Sequence, residues 1–316
     1  WESINRTTPN LGGGTGSNAG TGARGLWGGG YSPSPLNNRN TVDYITIPTL
    51  GNATKFGELT RSGRHAHSGV SSRTRGCWGG DFPQATQSTI DYVTIPSTGD
   101  ALDFGDLTAG RIASTGVSNQ TRGCYLGGYS YSPGPLAARD IIDYITIAST
   151  GNAKDFGNLL SAWEPASQIS CNSSTRGIVF RTNATNVIQY ITISTTGNAT
   201  DFGDTTVGVQ YGAGLSNSTR GLVAGGSAPG DLNAIEYITI ATLGNSIDFG
   251  DLTYGGQRGS GTSSPTRGVT AGFYTPTMYN TIDYFTIATT GNAAEFGDLT
   301  EPKTMTGSCS NAHGGL

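Results

Sequence analysis

The sequence predicts an all-β chain folded as a β-propeller of four-stranded antiparallel blades. Three observations predict it. One strand motif recurs six times, a phenylalanine follows each copy at one fixed distance, and the recurring strand is apolar on both faces. The copies are TVDYITI (41–47), TIDYVTI (89–95), IIDYITI (141–147), VIQYITI (187–193), AIEYITI (234–240) and TIDYFTI (281–287). Their tyrosines recur with a mean period of 48 residues, a length typical of propeller blades. A strand of a half-solvated sheet would be polar on one side. In 42–47, Val42 and Tyr44 share one face while Ile45 and Ile47 share the other, which fits a blade packed between two neighbours.

The motif is the third strand (C) of each blade. Phe56, Phe104, Phe156, Phe202, Phe249 and Phe296 each lie 12 residues after the motif tyrosine and mark the fourth strand (D) with an F-G-[DEN] signature. Between them runs a turn such as Thr150-Gly151-Asn152, whose Gly and Asn tolerate positive φ and reverse the chain at little steric cost. Upstream, an Arg-Gly pair opens the second strand (B), at Arg24, Arg75, Arg122, Arg176, Arg220 and Arg267. A short strand (A), such as Ser68–Ser71, completes the blade. The arginines and the motif acids Asp43, Asp91, Asp143, Glu236 and Asp283, with Gln189 in the fourth copy, recur once per blade. That repetition assigns them to structural ion pairs or hydrogen bonds, since a charge in a packed sheet must be partnered.

Composition sets the remaining limits. Glycine supplies 50 of 316 residues and charged residues only 13%, so the chain lacks the charge density of a disordered polyelectrolyte. The net charge of −4 leaves no basic surplus to follow a phosphate backbone, and nucleic acid is not an expected partner. No window approaches 18 consecutive apolar residues, so no membrane-spanning helix is expected. Cys77, Cys124, Cys171 and Cys309 fall at apolar positions of the repeat and read as buried free thiols. His65 and His67 lack a third histidine or a cysteine nearby in sequence, and no D-x-D-x-D-G loop is present. No metal or cofactor is expected.

The repeat resembles the kelch type of propeller, in which a strand ends in Gly-Gly, a tyrosine follows in the next strand and an aromatic residue in the last. Here the pairs are Gly29-Gly30, Gly79-Gly80, Gly127-Gly128 and Gly225-Gly226. The chain departs from that pattern in carrying Phe in place of Trp, in its Tyr-to-aromatic spacing, and in blade four, where Val179-Phe180-Arg181 replaces the glycines. The fuller string, T-R-G-x-x-G-G through D-F-G-D-L-T, is similar to repeat proteins of marine bacteriophages, notably those of cyanobacteria, over nearly the whole chain. That resemblance implies a virion protein, on a tail fibre or capsid surface.

The termini extend the pattern. Trp1–Ile4 aligns with a D strand and Ser310–Leu316 with the approach to a B strand. A single propeller domain over 1–316 with seven blades is therefore expected, the seventh shared by both ends and the chain continuing past Leu316; six blades is the alternative.

Function is expected on one face. The distances from the B-strand arginine to the C-strand tyrosine vary between 14 and 22 residues, whereas the C–D turn is constant. Variation on a fixed scaffold marks the face of the B–C and D–A loops. Candidate ligand-binding residues there are Tyr31, Asn37 and Arg39 in blade one, Phe82 in blade two, Tyr129, Tyr131 and Arg139 in blade three, and Tyr274 and Tyr279 in blade six. Tyrosine on Pro-stiffened loops offers contact area at low entropic cost. The expected role is non-enzymatic: receptor binding or adhesion at a virion or extracellular surface, through a host glycan or protein, or assembly with other virion proteins, in multiple copies. A secreted or cell-surface bacterial adhesin or lectin is the second reading. A glycan-degrading enzyme is the third, and would need a pair of carboxylates roughly 5–10 Å apart on the loop face.

Overall fold

The computed structural model describes residues 23–34, 39–61, 63–65, 67–80, 88–131, 134–163, 169–180 and 185–316. Its strands form six antiparallel sheets, one per repeat. Blade 2 has strands A to D at Ser68–Ser71, Arg75–Gly79, Thr89–Thr94 and Leu102–Asp106, and the other blades repeat this order. Blade 3 carries an additional short strand, Tyr129–Ser130, paired with the start of its long C strand Ala137–Thr146.

The ring has six blades, which corrects the expectation of seven. Gly307–Ser310 does not begin a further blade but pairs with Arg24–Gly28 and becomes strand A of blade 1. Asn311 then occupies the A–B turn. Its Oδ1 accepts from the Arg24 amide at 2.8 Å, as Asn119 Oδ1 accepts from the Arg122 amide at 2.9 Å within continuous chain. The C-terminal segment does approach a B strand, but that B strand is Arg24–Gly28. Residues 1–4, aligned with a D strand, lie outside the described residues.

Three sets of bonds explain why the repeat is so constant. First, each T-G-N turn clamps the preceding blade. Gly151 N donates to Phe104 O at 2.8 Å, Ala153 N donates to Asp106 O at 2.7 Å, and Asp106 N donates to Asn152 Oδ1 at 3.1 Å. The same three bonds join blade 1 to blade 6 through Gly51, Asn52, Ala53, Phe296 and Asp298, so closure is equivalent to every other junction. The F-G-D glycine is required there. Gly105 sits in a left-handed conformation (φ +141°) beside a bulge in the C–D ladder, and a Cβ would lie 2.6 Å from the Gly151 carbonyl.

Second, each B-strand arginine stacks over the tyrosine of its own blade and donates to the next blade. Arg122 lies 4.3 Å from the Tyr144 ring centroid, and its Nη1 donates to Ile193 O at 2.9 Å. Arg267 makes the corresponding bond across the closure, to Ile47 O at 2.8 Å. Edge-on contact of each tyrosine with the D-strand phenylalanine, as Tyr144 with Phe156 at 6.1 Å, finishes the stack.

Third, the motif acid accepts from the preceding blade and not from these arginines. Asp143 takes the Thr108 amide at 3.0 Å and hydroxyl at 2.6 Å, Asp283 the Thr253 pair at 2.9 and 2.7 Å, and Glu236 the Thr206 pair. The neutral Gln189 accepts the Leu160 amide at 3.0 Å.

The clamp predicts a modest cost when one bond is removed at a solvent-facing turn. Asn152→Ala is expected to lower stability by about 1 kcal/mol, read from the denaturant midpoint, because the Asp106 amide can turn to water. A loss several times larger would mean that the turn carries the junction through something other than this bond.

The A strands line the central axis and pack more closely than a side chain allows. A Cβ on Gly214 would lie 2.3 Å from the backbone of Ser170 in the neighbouring blade. The resulting channel has a volume of about 30 Å³, room for water and not for a small molecule. Ser71, Ser118, Asn172, Ser216, Ser263 and Ser310, one per blade, encircle it. Each binds across to a neighbour, as in Ser310 Oγ to Ser263 O at 2.7 Å and Ser71 Oγ to Ser310 O at 2.8 Å.

Candidate functional site at the axial mouth

At the end of this channel on the loop face, the D–A loops approach the axis. The residue two positions before an A strand is left-handed without being glycine in four loops: Ala113 (φ 55°), Tyr211 (58°), Arg258 (66°) and Met305 (56°). A left-handed conformation in a non-glycine residue costs on the order of 1 kcal/mol and gathers where geometry is over-determined, functional sites included. The loops fix one another. Arg258 N donates to Tyr211 O at 2.6 Å, Met305 N donates to Arg258 O at 3.0 Å, and Thr304 Oγ1 also donates to Arg258 O at 2.9 Å.

Tyr129, Tyr211 and Met305 all pack against Ile112 and Ala113. Ala113, Tyr211 and Met305 lead into blades 3, 5 and 1, which are not neighbours in the ring. They meet only because they converge on the axis. Arg258 adds a charge to this cluster, its guanidinium 5.7 Å from the Tyr211 centroid and 5.6 Å from that of Tyr274.

The residue after the Gly-Gly pair in blades 1, 3 and 5, and Tyr274 after Gly272-Phe273 in blade 6, join the same surface. Tyr31 pairs with Thr304, Tyr129 with Ile112, Ser227 with Gln210 and Tyr274 with Gln257, each bridging its B–C loop to the preceding D–A loop. Tyr31 also approaches His65, ring to ring at 5.7 Å, and burial lowers the His65 pKa to about 4.

Of the expected ligand-binding residues, the structure therefore brings Tyr129 and Tyr274 to the axial mouth, with Tyr31 on the strand pair that leads to Met305. Arg39 is engaged with Glu301 at 2.7 Å, and Arg139 donates to the Ser130 and Pro135 carbonyls at 3.1 Å. Tyr279 hydrogen-bonds within its own loop to Thr275 O and lies 5.0 Å from the Tyr254 ring. Tyr131 is 51% exposed. Asn37 and Phe82 lie outside the described residues. Tyr211, Arg258 and Met305 were missed. Their one signal in the sequence is a residue of changing type two positions before the A strand, an offset that no repeated motif marks.

The other clefts are repeats of the fold. Grooves beside the C–D turns, such as the 420 Å³ groove lined by Arg122, Tyr144, Asn152 and Lys154, recur from blade to blade around arginines already committed to inter-blade bonds. All four cysteines are buried free thiols, and burial pushes the Cys124 pKa up to about 12. Among the described residues, no three of His, Cys, Asp and Glu gather to hold a metal, and no helix is long and apolar enough to cross a membrane. No protein-family model matches the chain, and no curated protein matches it.

Proposed function

We propose that the protein is a recognition module of a virion or extracellular surface, which binds a surface glycan through the axial mouth of its loop face. The observation that carries this reading is the convergence of Tyr129, Tyr211 and Met305 across the ring on left-handed loops, with Tyr274 joined to them through Arg258. The channel beneath is too narrow to admit a ligand, so the mouth presents a shallow platform of half-buried tyrosines. Such rings offer apolar faces to the C–H face of a sugar and hydroxyls to its rim. The likeness of the repeat to marine phage proteins supports a place on a tail fibre or capsid, where six blade junctions built on the same turn clamp would give a rigid mount.

Glycan-array binding tests this reading. Tyr211→Ala and Tyr129→Ala are each expected to weaken binding at least about tenfold, the usual effect of truncating an aromatic anchor. Tyr131→Ala, on an exposed tyrosine away from the axial cluster, should leave binding within about twofold. Absence of binding to any glycan, or retention of full binding by both axial variants, overturns the reading.

A further inference from the structure

We propose that the axial mouth is specific for an acidic sugar: the guanidinium of Arg258, held between Tyr211 and Tyr274, takes the carboxylate of the bound monosaccharide. This rests on the reading of the mouth as a glycan site and goes beyond it by naming the chemistry of the ligand.

Arg258 differs from the cations around it. On the loop face, Arg64, Arg111 and Lys303 are paired with Asp91, Asp143 and Asp43, Arg39 is paired with Glu301, and Arg139 is bonded to backbone carbonyls. Arg258 has no carboxylate partner among the described residues. Its Nε is buried without an acceptor, as are those of Arg64 and Arg111, so what sets Arg258 apart is the missing carboxylate. Asp231, at the start of the C strand of blade 5, is engaged by Gln257 Nε2 at 3.0 Å. A guanidinium in contact with two aromatic faces is partly stripped of water, which raises the return from an incoming anion.

Its position is also fixed before a ligand arrives. The backbone is held by three hydrogen bonds, to Tyr211, Met305 and Thr304, and the side chain lies between two rings. A planar guanidinium so oriented matches a carboxylate in bidentate geometry, which a lysine ammonium cannot reproduce. A ring-shaped ligand bearing that carboxylate would lay its apolar face on the adjoining tyrosines. A sulfate ester offers the same charge with a tetrahedral group, and experiment separates the two.

The test uses the whole chain with polygalacturonate, an alginate and a polymer of sialic acid, each compared with its carboxyl-reduced form, and with dextran sulfate as the sulfate probe. At least one carboxylated polymer is expected to bind at least about tenfold more tightly than its reduced form. Arg258→Gln should abolish that preference, and Arg258→Lys should restore only part of it, with thermal midpoints close to that of the unaltered protein. Equal binding of carboxylated and reduced polymers, binding of dextran sulfate alone, or a preference unchanged in Arg258→Gln each overturns the proposal. If neutral glycans bind in a Tyr211-dependent manner without a preference for acid, this proposal fails and the glycan reading stands. If no glycan of any kind binds, the glycan reading fails and this proposal with it.

Discussion

Arg64→Met is expected to destabilise the propeller by about 3–5 kcal/mol, the cost of leaving one member of a buried ion pair without its partner. Arg64 enters from the loop after the D strand of blade 1 and pairs with Asp91 on the C strand of blade 2, and both side chains are fully buried. Its second nitrogen donates to Gly80 O at 2.8 Å and Thr89 O at 2.9 Å, so the substitution also strands two carbonyls. Asp91 would keep only the amide and hydroxyl of Thr60. In a thermal melt the loss should appear as a midpoint lowered by roughly 5–10 °C for a chain of this size.

The protein itself contains the control. Among the described residues, three junctions use a buried cation, Arg64, Arg111 and Lys303, and three show none. At the junction from blade 3 to blade 4 the acid is replaced by Gln189, whose amide accepts the Leu160 N–H without a charge to neutralise. At the junction into blade 6 the carboxylate stays, no cation among the described residues pairs with it, and burial raises the pKa of Asp283. Arg64→Met combined with Asp91→Gln copies the Gln189 arrangement and should recover most of the stability lost in the single variant, because a neutral acceptor needs no counter-charge. If the double variant is no better than Arg64→Met, the cost lies in packing or in the stranded carbonyls, and the ion pair is not what holds that junction.

This division between the two halves of the ring shows what is and is not legible in the chain. The repeat made the blades, their strand order and the structural character of the Arg and Asp positions legible, because each is dictated by local pattern. It did not show which groups pair. Arg24 and Asp43 share a blade and carry opposite charges, yet Arg24 donates to Ile95 O of blade 2 and Asp43 is paired with Lys303 of blade 6. Those partners are set by the closeness of neighbouring blades, which a one-dimensional repeat does not encode. Blade number was misread for a related reason. Residues 307–316 resemble an A strand leading to a B strand, and whether that B strand is new or already present at Arg24–Gly28 depends on ring radius. The radius follows from how near the A strands approach, here close enough to exclude a Cβ at Gly214. The axial site was half legible: Tyr129 and Tyr274 stand out in Pro-containing loops, whereas Tyr211, Arg258 and Met305 acquire meaning only when non-adjacent blades meet.

Acidification is expected to destabilise the ring between about pH 6.5 and 4 through His313, which closes the end of the channel remote from the loop face. Its Nε2 hydrogen bonds the Ser71 carbonyl at 3.0 Å, while Nδ1 accepts from Asn172 Nδ2 at 2.9 Å and from the Gly315 amide at 3.1 Å. Every position around the neutral ring is filled, and a second proton on Nδ1 would face two donors. Burial accordingly lowers the His313 pKa to about 4. An unfolded chain binds a proton at its ordinary value near 6.5, so between those values the unfolded state holds more protons and stability falls as pH falls. The full effect approaches 3 kcal/mol by about pH 4 and does not grow below it. Asp283 acts in the opposite sense, since its raised pKa means that protonation relieves a buried charge. His313→Gln isolates the histidine: a glutamine can accept from Asn172 and Gly315 but does not titrate. Its stability should decline less than that of the unaltered protein over this pH range, the two curves differing in slope from pH 6.5 to 4 and running parallel outside it. Parallel curves throughout would show that His313 is protonated in the folded ring without cost, and that the six A strands are sealed by their five serines and Asn172 and not by the C-terminal turn.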